Sequence, residues 1–553
     1  MSKVQTRMGT HWDWVVAALL PIAFLAPFLN KPVHIDDTAY IVIAKHILED
    51  PLDYYGVSLN WDGTERPVHE WHASPPLANF YLALIGGLFG WKEWVLHVGF
   101  LLPAMLAGLS TYALARRFCK RPLLACAATI CAPAFVVSGT SLMLDMWLLA
   151  LFVGALALWV EGFERGQTRW LIAACGVAGL AMWTKYFGVA LVPLFVLYGA
   201  LKFSRPKWWL ACLLIPISMI AVEQTWCYYH YGHLLFRNVA DVVFDQRIQN
   251  RSMWAWLLIG FAFTGGCTFS IMQLGAVLWK GRVRLLGLLI WVAFALVLAG
   301  LGRAGNGVLT GGFDLPIVSS FVCAILVLGG TQLVTLSLCE IRHRGEPESW
   351  LLVAWIAGTF IFACFVTWSV NARSLLPLVP AAAIIAARRL DYLSFVNVRR
   401  ANFRMLLALV LSGVISLLVA RADMTWAQSQ RLAAERFRER AVGFPGTVYY
   451  QGHWGFQHYM TEAGFKHFEL DRTVLLPGDI VISPQNNSNV TPLPREYVEM
   501  RTRETVAIDR RIATMSLPLG AGFYSDLWGP MPFSLGLAMP PDAYYLDYIA
   551  QPR

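Results

Sequence analysis

Charge is scarce in this sequence. Of its 553 residues only 14% are Asp, Glu, Lys or Arg, against about 25% in a soluble domain. A string of soluble domains is therefore excluded. Cysteine offers no staple either: the ten cysteines fall between Cys119 and Cys364, mostly inside apolar runs and without metal-site spacing. A disulfide-built secreted module is not expected. No internal repeat or low-complexity tract stands out. The first apolar stretch lacks the small-residue site of a cleavable leader, so it is expected to remain as an anchor. What the chain has in abundance is apolar: 57% hydrophobic residues, with 32 Phe, 23 Trp and 19 Tyr, and a mean hydropathy of +0.52. Aromatics at that density exclude a disordered chain. The class that remains is a polytopic helical membrane protein.

The few charges set a topology. About fourteen apolar stretches run from 14–29 to 403–420, most approaching the ~20 residues that cross hydrocarbon. That is one more than the basic clusters permit. With Lys3 and Arg7 in the cytoplasm, Arg116, Arg117, Lys120 and Arg121 belong there too, which allows two crossings before Arg116, at 14–29 and 94–115. The short stretch 76–90, opened by Pro75-Pro76, then lies at the interface or re-enters. Later clusters alternate on that choice. Arg165 and Arg169, Lys202 to Lys207, Lys280 to Arg284, Arg342 and Arg344, and Arg388 to Arg404 fall inside. Loop 30–75, Asp145, Lys185, loop 227–252, loop 303–313 and the Asn371-Ala372-Arg373 turn fall outside. The expectation is about 13 spans, the N-terminus inside and the C-terminus outside, in the inner (plasma) membrane. The net charge of +9 thus reports orientation, and nucleic acid is not an expected partner.

Residues 421–553 change character. Short β-type runs (Thr447–Gln451, Asp479–Ser483) flank a helix-like stretch (Phe456–Ala463), with turns such as Pro477-Gly478-Asp479 between them. A membrane domain over 1–420, its first outer loop at 30–93, and a small outer α/β domain over 421–553 are expected.

The first outer loop gathers the chemistry. Asp36-Asp37 directly follows the first span and opens an amphipathic stretch with Tyr40, Ile43, Ala44 and Ile47 near helical spacing. One Asp suits an N-cap and the other the first-turn dipole; equally, one suits a general base with the second orienting an acceptor or a metal. His69, Glu70 and His72 crowd ahead of Pro75-Pro76 and are the candidate ligands of a divalent metal, a candidate cofactor, or of a phosphate, although their spacing is not the helical zinc motif. Asp145 opens an apolar span, as an N-cap or as the wall of a polar cavity. Lys185 suits a snorkelling lysine or a phosphate contact. Arg237, Arg247, Arg251 and Arg373 lie against the positive-inside bias and call for an anionic partner, a lipid headgroup or a substrate phosphate. Trp454, Phe456, His458 and Tyr459 suit either a sugar site or packing of a helix on a sheet.

In order along the chain these features resemble glycosyltransferase family 39, which holds the dolichyl-phosphate-mannose protein mannosyltransferases and the bacterial aminoarabinose lipid A transferases. Asp36-Asp37-Thr38-Ala39-Tyr40 resembles the family's acidic doublet. Pro75-Pro76-Leu77 with Phe80-Tyr81 resembles its Pro-Pro-Leu segment, Leu144-Asp145-Met146 its Thr-Asp turn, and Gly179-Leu180-Ala181-Met182-Trp183-Thr184-Lys185 its Gly-Leu-Ala-x-x-Thr-Lys stretch. Arg373-Ser374-Leu375-Leu376-Pro377-Leu378-Val379-Pro380 resembles its Arg-Tyr-x-Leu-Pro-x-x-Pro segment. The resemblance implies an all-α polytopic GT-C fold with a small C-terminal α/β domain outside the cytoplasm. It implies a polyprenyl-phosphate-linked sugar donor and inverting transfer to an acceptor lipid, glycan or protein on the outer face. By position Asp36 would activate the acceptor with Asp37 beside it. Asp145 would be a second acid, Tyr40 and Glu70 would line the cavity, and Lys185 and Arg373 would meet the donor phosphate. Ala39 and Ala73-Ser74 stand where the aminoarabinose transferases carry Arg and Glu-Lys, so His72 or a loop arginine, Arg237 or Arg247, joins the expected phosphate set. No loop is long enough for the β-trefoil domain of the protein mannosyltransferases. The alternative reading is a transporter or flippase of lipid-linked sugars, which would call for repeats and paired broken helices.

Overall fold

The structure is a computed structural model that describes residues 11–203, 208–246, 251–279, 281–303, 312–393, 397–507, 511–536 and 542–550. Lys3, Arg7, Arg205, Lys207 and Lys280, which the expected topology uses, lie outside the described residues, as does the candidate Arg247.

The chain is mostly helical. By length and composition seven described helices can cross a membrane, from His11–Phe28 to Val398–Arg440, and eight if one bent pair counts as a span. That is fewer than the thirteen or so expected. The remaining expected spans fall on shorter segments, among them Thr168–Thr184, Tyr186–Lys202 and Met253–Cys267. The bent pair joins Pro122–Ile130 to Pro133–Gly139 at 60°. Its break is local chemistry: Ala132 is extended, as a residue before proline prefers, and Pro133 starts the second half where no N–H is needed. Leu77–Phe89 has 13 residues and begins directly after Pro76, matching the short stretch set aside from the spans.

Helix packing follows membrane rules, where burial from lipid gives little drive and close approach gives much. Met253–Cys267 meets Ile317–His343 through glycines. A Cβ on Gly265 would stand 1.7 Å from the Leu326 carbonyl oxygen, and one on Gly330 2.3 Å from that of Phe261. Large exposed apolar side chains form stripes instead of scatter. On Val398–Arg440 they are Val398, Phe403, Leu406, Leu407, Val410, Leu411, Val414 and Leu418, and none follows on that helix.

That helix runs unbroken for 43 residues, through the boundary expected at 420/421. Its apolar first half has the length of a span. Its second half projects about 30 Å further and buries Trp426, Ala433 and Phe437 in the core that also holds Tyr450, Phe456 and Tyr544. A five-stranded sheet follows. Val448–Tyr450 pairs in parallel with Lys466–His467 and with Ile480–Pro484. Asp542–Ile549 pairs antiparallel with Ile480–Pro484 and with Val498–Val506. The connecting helix is Trp454–Glu462, where a helix was expected.

Ion pairs sort into two sets. Arg117–Glu161, Arg121–Asp391, Lys202–Glu348 and Arg388–Glu340 join charges expected on one face. Asp36–Arg373, Asp145–Lys185 and Arg251–Asp526 join charges expected on the other.

Candidate active site

The acidic doublet sits on a constrained turn. Ile35, buried, takes φ 47°, a region that a β-branched side chain rarely adopts. The turn is tied on both sides. Val33 N–H donates to the Tyr459 hydroxyl at 2.8 Å, and the Thr38 hydroxyl donates to the Trp454 carbonyl at 2.7 Å. Trp454 is itself at φ 63°. Helix Asp37–Glu49 begins at once, and Asp36 makes no side-chain cap bond, so its carboxylate is free for other partners.

The two acids face different surroundings. Asp37 is fully buried and accepts from Leu142 N–H at 2.9 Å and from His34 N–H at 3.3 Å. Burial pushes its carboxyl up to about 7, against the opposing pull of Lys31 and of the two N–H donors. Asp36 is partly exposed and takes the Arg373 guanidinium at 2.8 Å. The same Arg373 Nη1 lies 4.0 Å from Asp145, whose other oxygen accepts from Lys185 Nζ at 2.8 Å. Asp145 opens helix Asp145–Arg165 and Lys185 ends Thr168–Thr184, so helix ends deliver all four groups. Tyr40, one turn on from Asp36, is buried beside them. Burial first, and the Asp36 charge second, hold its phenol well above the usual range. Two carboxylates and two cations from four distant segments thus form one cluster, open on the Asp36 and Lys185 side and closed at Asp145, which is 3% exposed.

The other sequence candidates stand apart from that cluster. His72 packs among the Tyr40, Tyr55 and Trp71 rings at 5.0 to 6.0 Å, and burial holds its imidazole down to about 4. It is a neutral group there, not a cation. His69 stacks on Tyr231 at 4.7 Å, and its carbonyl accepts from His233 Nε2 and Asn238 Nδ2. Glu70 is exposed on the short turn Val68–Glu70. Among the described residues no three His, Cys, Asp or Glu side chains come together as a metal-binding group. Arg237 is largely exposed and pairs with Asp241 on its own helix. Arg251, for which an anionic lipid or substrate was expected, is buried and pairs with Asp526. The aromatic residues of Trp454–Glu462 pack inward. Trp454 meets Trp426 and Trp528, Phe456 meets Tyr544, and the Tyr459 hydroxyl donates to Glu93.

A second buried constellation carries little signal in the sequence. Lys31 Nζ donates to Asp423 Oδ2 at 2.7 Å and to the Thr140 hydroxyl at 3.2 Å. Asp423 also accepts from Thr514 and Tyr524, each at 2.7 Å, and His34 Nε2 stands 3.6 Å away. Its one local hint is an acid three residues past the apolar run 403–420.

Residues 73–226 match the family model described as dolichyl-phosphate-mannose-protein mannosyltransferase. Among solved structures, ArnT from Cupriavidus metallidurans bound to undecaprenyl phosphate is 15% identical. It covers 86% of this chain and 92% of its own, with a TM-score of 0.42. The apo form of that protein is 16% identical over 86% and 93%, at 0.43. The Saccharomyces cerevisiae protein O-mannosyltransferase Pmt1-Pmt2 complex bound to the sugar donor is 15% identical over 41% and 35%, at 0.32. No curated protein sequence matches the chain. The family match spans Pro75-Pro76, Asp145 and Lys185, and bears out the resemblance read from those residues. That match, over residues 73–226, supports reading these helices as part of a membrane glycosyltransferase domain similar to those of family 39; the described C-terminal part carries a small sheet.

Proposed function

We propose that the chain moves a sugar from a polyprenyl-phosphate-linked donor to a hydroxyl of a lipid, glycan or protein at the outer face of the inner membrane. In this reading residues 1–420 form the membrane domain and 421–553 an outer domain, with the N-terminus in the cytoplasm. The observation that carries it is the cluster of Asp36, Asp145, Lys185 and Arg373, in which two cations and two carboxylates share one partly open site.

The chemistry asks for these groups. In an inverting transfer the acceptor oxygen forms a bond to the anomeric carbon while the carbon–oxygen bond to phosphate breaks and the phosphate leaves with the electron pair. The proton on the acceptor hydroxyl needs a base, and the leaving phosphate needs positive charge. Asp36 is the partly exposed carboxylate and takes the proton. Lys185 and Arg373 receive the phosphate, Arg373 through its planar fork. Asp145 holds both cations in place when no donor is bound. Asp37 fixes the turn, and Tyr40 walls the cavity. ArnT was solved with undecaprenyl phosphate bound and Pmt1-Pmt2 with the sugar donor bound, ligands of the class this reading calls for.

The test is sugar transfer in membranes carrying the full chain and supplied with a polyprenyl phosphate sugar. Asp36→Asn is expected to reduce turnover about 10²- to 10⁴-fold, the range of a general base, at unchanged protein level. Retained activity at that position would overturn the assignment of the base.

A further inference from the structure

The turn that carries Arg373 is built from outside the membrane helices. Ala372 N–H donates to the Phe523 carbonyl and Asp526 N–H to the Val370 carbonyl, both at 2.9 Å. Val370 N–H donates to Asp526 Oδ1, also at 2.9 Å. The other Asp526 oxygen is paired with Arg251, and that guanidinium lies 4.7 Å from the Trp256 ring centroid. Between these ties stands Tyr524. Its ring centroid is 5.5 Å from Arg373 Cζ, and its hydroxyl donates to Asp423 at 2.7 Å. Tyr524 and Asp526 are buried, and the Arg251 side chain is 4% exposed. None of these C-terminal residues falls within the stretch that matches the family model.

The placement has a physical consequence. A donor phosphate must take Arg373 from Asp36, so the guanidinium has to remain oriented once that partner is lost. A ring face within about 6 Å attracts a guanidinium and orients it, and does so without competing for its N–H groups. The backbone ties limit how far the turn itself can shift.

We propose that segment Phe523–Asp526 belongs to the donor-phosphate site. Tyr524 is a positioning residue that sets the Arg373 guanidinium, and the Asp526–Arg251 pair fixes the turn beneath it. This rests on reading Arg373 as a phosphate-binding group, and the experiment separates the two. The full chain in lipid nanodiscs is titrated with undecaprenyl phosphate. Arg373→Gln is expected to weaken binding of this probe strongly. Tyr524→Leu is expected to weaken it by roughly 2- to 30-fold, and Tyr524→Phe, which keeps the ring, to restore affinity to within about twofold. On the Arg373→Gln background, Tyr524→Leu is expected to add nothing. Unchanged binding by Arg373→Gln overturns the phosphate reading itself. Weakening by Arg373→Gln with none by Tyr524→Leu overturns only the positioning role, as does an equal Tyr524→Leu loss on both backgrounds. If Tyr524→Leu fails to fold, Arg251→Lys serves instead: it keeps the charge but loses the fork. It should weaken the probe several-fold on the wild-type background and not on Arg373→Gln, and no effect on either overturns the proposal.

Discussion

The pair Lys31–Asp423 offers the sharpest test of how the membrane helices and the C-terminal part are joined. Both side chains are 0% exposed, and Asp423 accepts from Lys31, Thr514 and Tyr524 at 2.7 Å each. Replacing Asp423 with Leu leaves a buried ammonium without its carboxylate, a change worth about 3–5 kcal/mol. It also strips Thr514 and Tyr524 of their acceptor, at roughly 1–3 kcal/mol for a buried polar group left unmade. The expected loss is therefore at least about 4 kcal/mol, a large share of a typical 5–15 kcal/mol. Equilibrium unfolding in mixed micelles titrated with SDS reads it through tryptophan fluorescence, since Trp426 lies three residues on and is buried. The double replacement Lys31→Met with Asp423→Leu removes both charges and should cost less than Asp423→Leu alone. A single variant within about 1 kcal/mol of the wild type, or a double variant that loses the sum of both singles, would refute the reasoning.

Three further outcomes are expected. Asp37 has its carboxyl raised by burial from 3.8 to about 7, so the folded state holds a proton that the unfolded chain releases. Its contribution, on the order of 4 kcal/mol at most, is present at low pH and lost as pH rises through that window. Thermal midpoints compared at pH 5 and pH 8 should show this slope in the wild type and a flatter profile in Asp37→Asn. Lys185→Gln removes the direct partner of Asp145 at 2.8 Å. Steady-state kinetics should show a loss of roughly 10- to 100-fold in kcat/KM for the donor, the worth of a charged hydrogen bond, and an unchanged value would remove Lys185 from the phosphate set. For the topology, a cysteine at Gly166, which is exposed on a helix-ending turn, should be labelled only after cells are opened. One at the exposed Arg472 should be labelled in intact cells. The reverse pattern would invert the orientation.

The legible parts of the fold are those whose signal is local. Pro75-Pro76 ahead of a short apolar run gave Leu77–Phe89, and alternating runs between turns gave the strands Val448–Tyr450 and Ile480–Pro484. The boundary expected at 421 marks a change of composition, and secondary structure does not change at the same place. The apolar stripe ends at Leu418, yet Ala422 to Arg440 are mostly good helix formers and continue the same helix. Span counting strained for a related reason: several segments are bent or shorter than a full crossing, and charge alternation alone cannot tell a short span from an interfacial helix. Within the candidate site, Asp36, Asp145, Lys185 and Arg373 each stand out in the sequence singly, as a charge in an unfavourable place. Their assembly rests on separations of 40 to 337 residues, which no periodicity encodes. Asp423 and Tyr524 carry little local signal, because an acid in a helix and a tyrosine in a loop are ordinary until the partner is known.

The doublet Asp36-Asp37 raised the question of why two acids should stand together at a membrane boundary. Adjacent carboxylates are separated in function by their surroundings whenever one is buried and the other is paired with a cation. Here the backbone makes the separation. The left-handed turn at Ile35 and the immediate start of the helix send Asp37 inward onto the Leu142 and His34 N–H groups, and Asp36 outward onto Arg373. Exchanging their roles would require the turn to reverse, against the ties from Tyr459 and Trp454. One acid therefore suits holding the loop against the fourth of the expected spans, while its neighbour keeps the solvent contact that the proposed proton acceptor requires. Under the proposed function, the N-cap and general-base readings, which can hold together, resolve into a division of labour between the two acids. Asp36, at the cap position, makes no side-chain cap bond, and in the proposed function two acids are required because one carboxylate cannot be both anchored in the core and presented to a substrate.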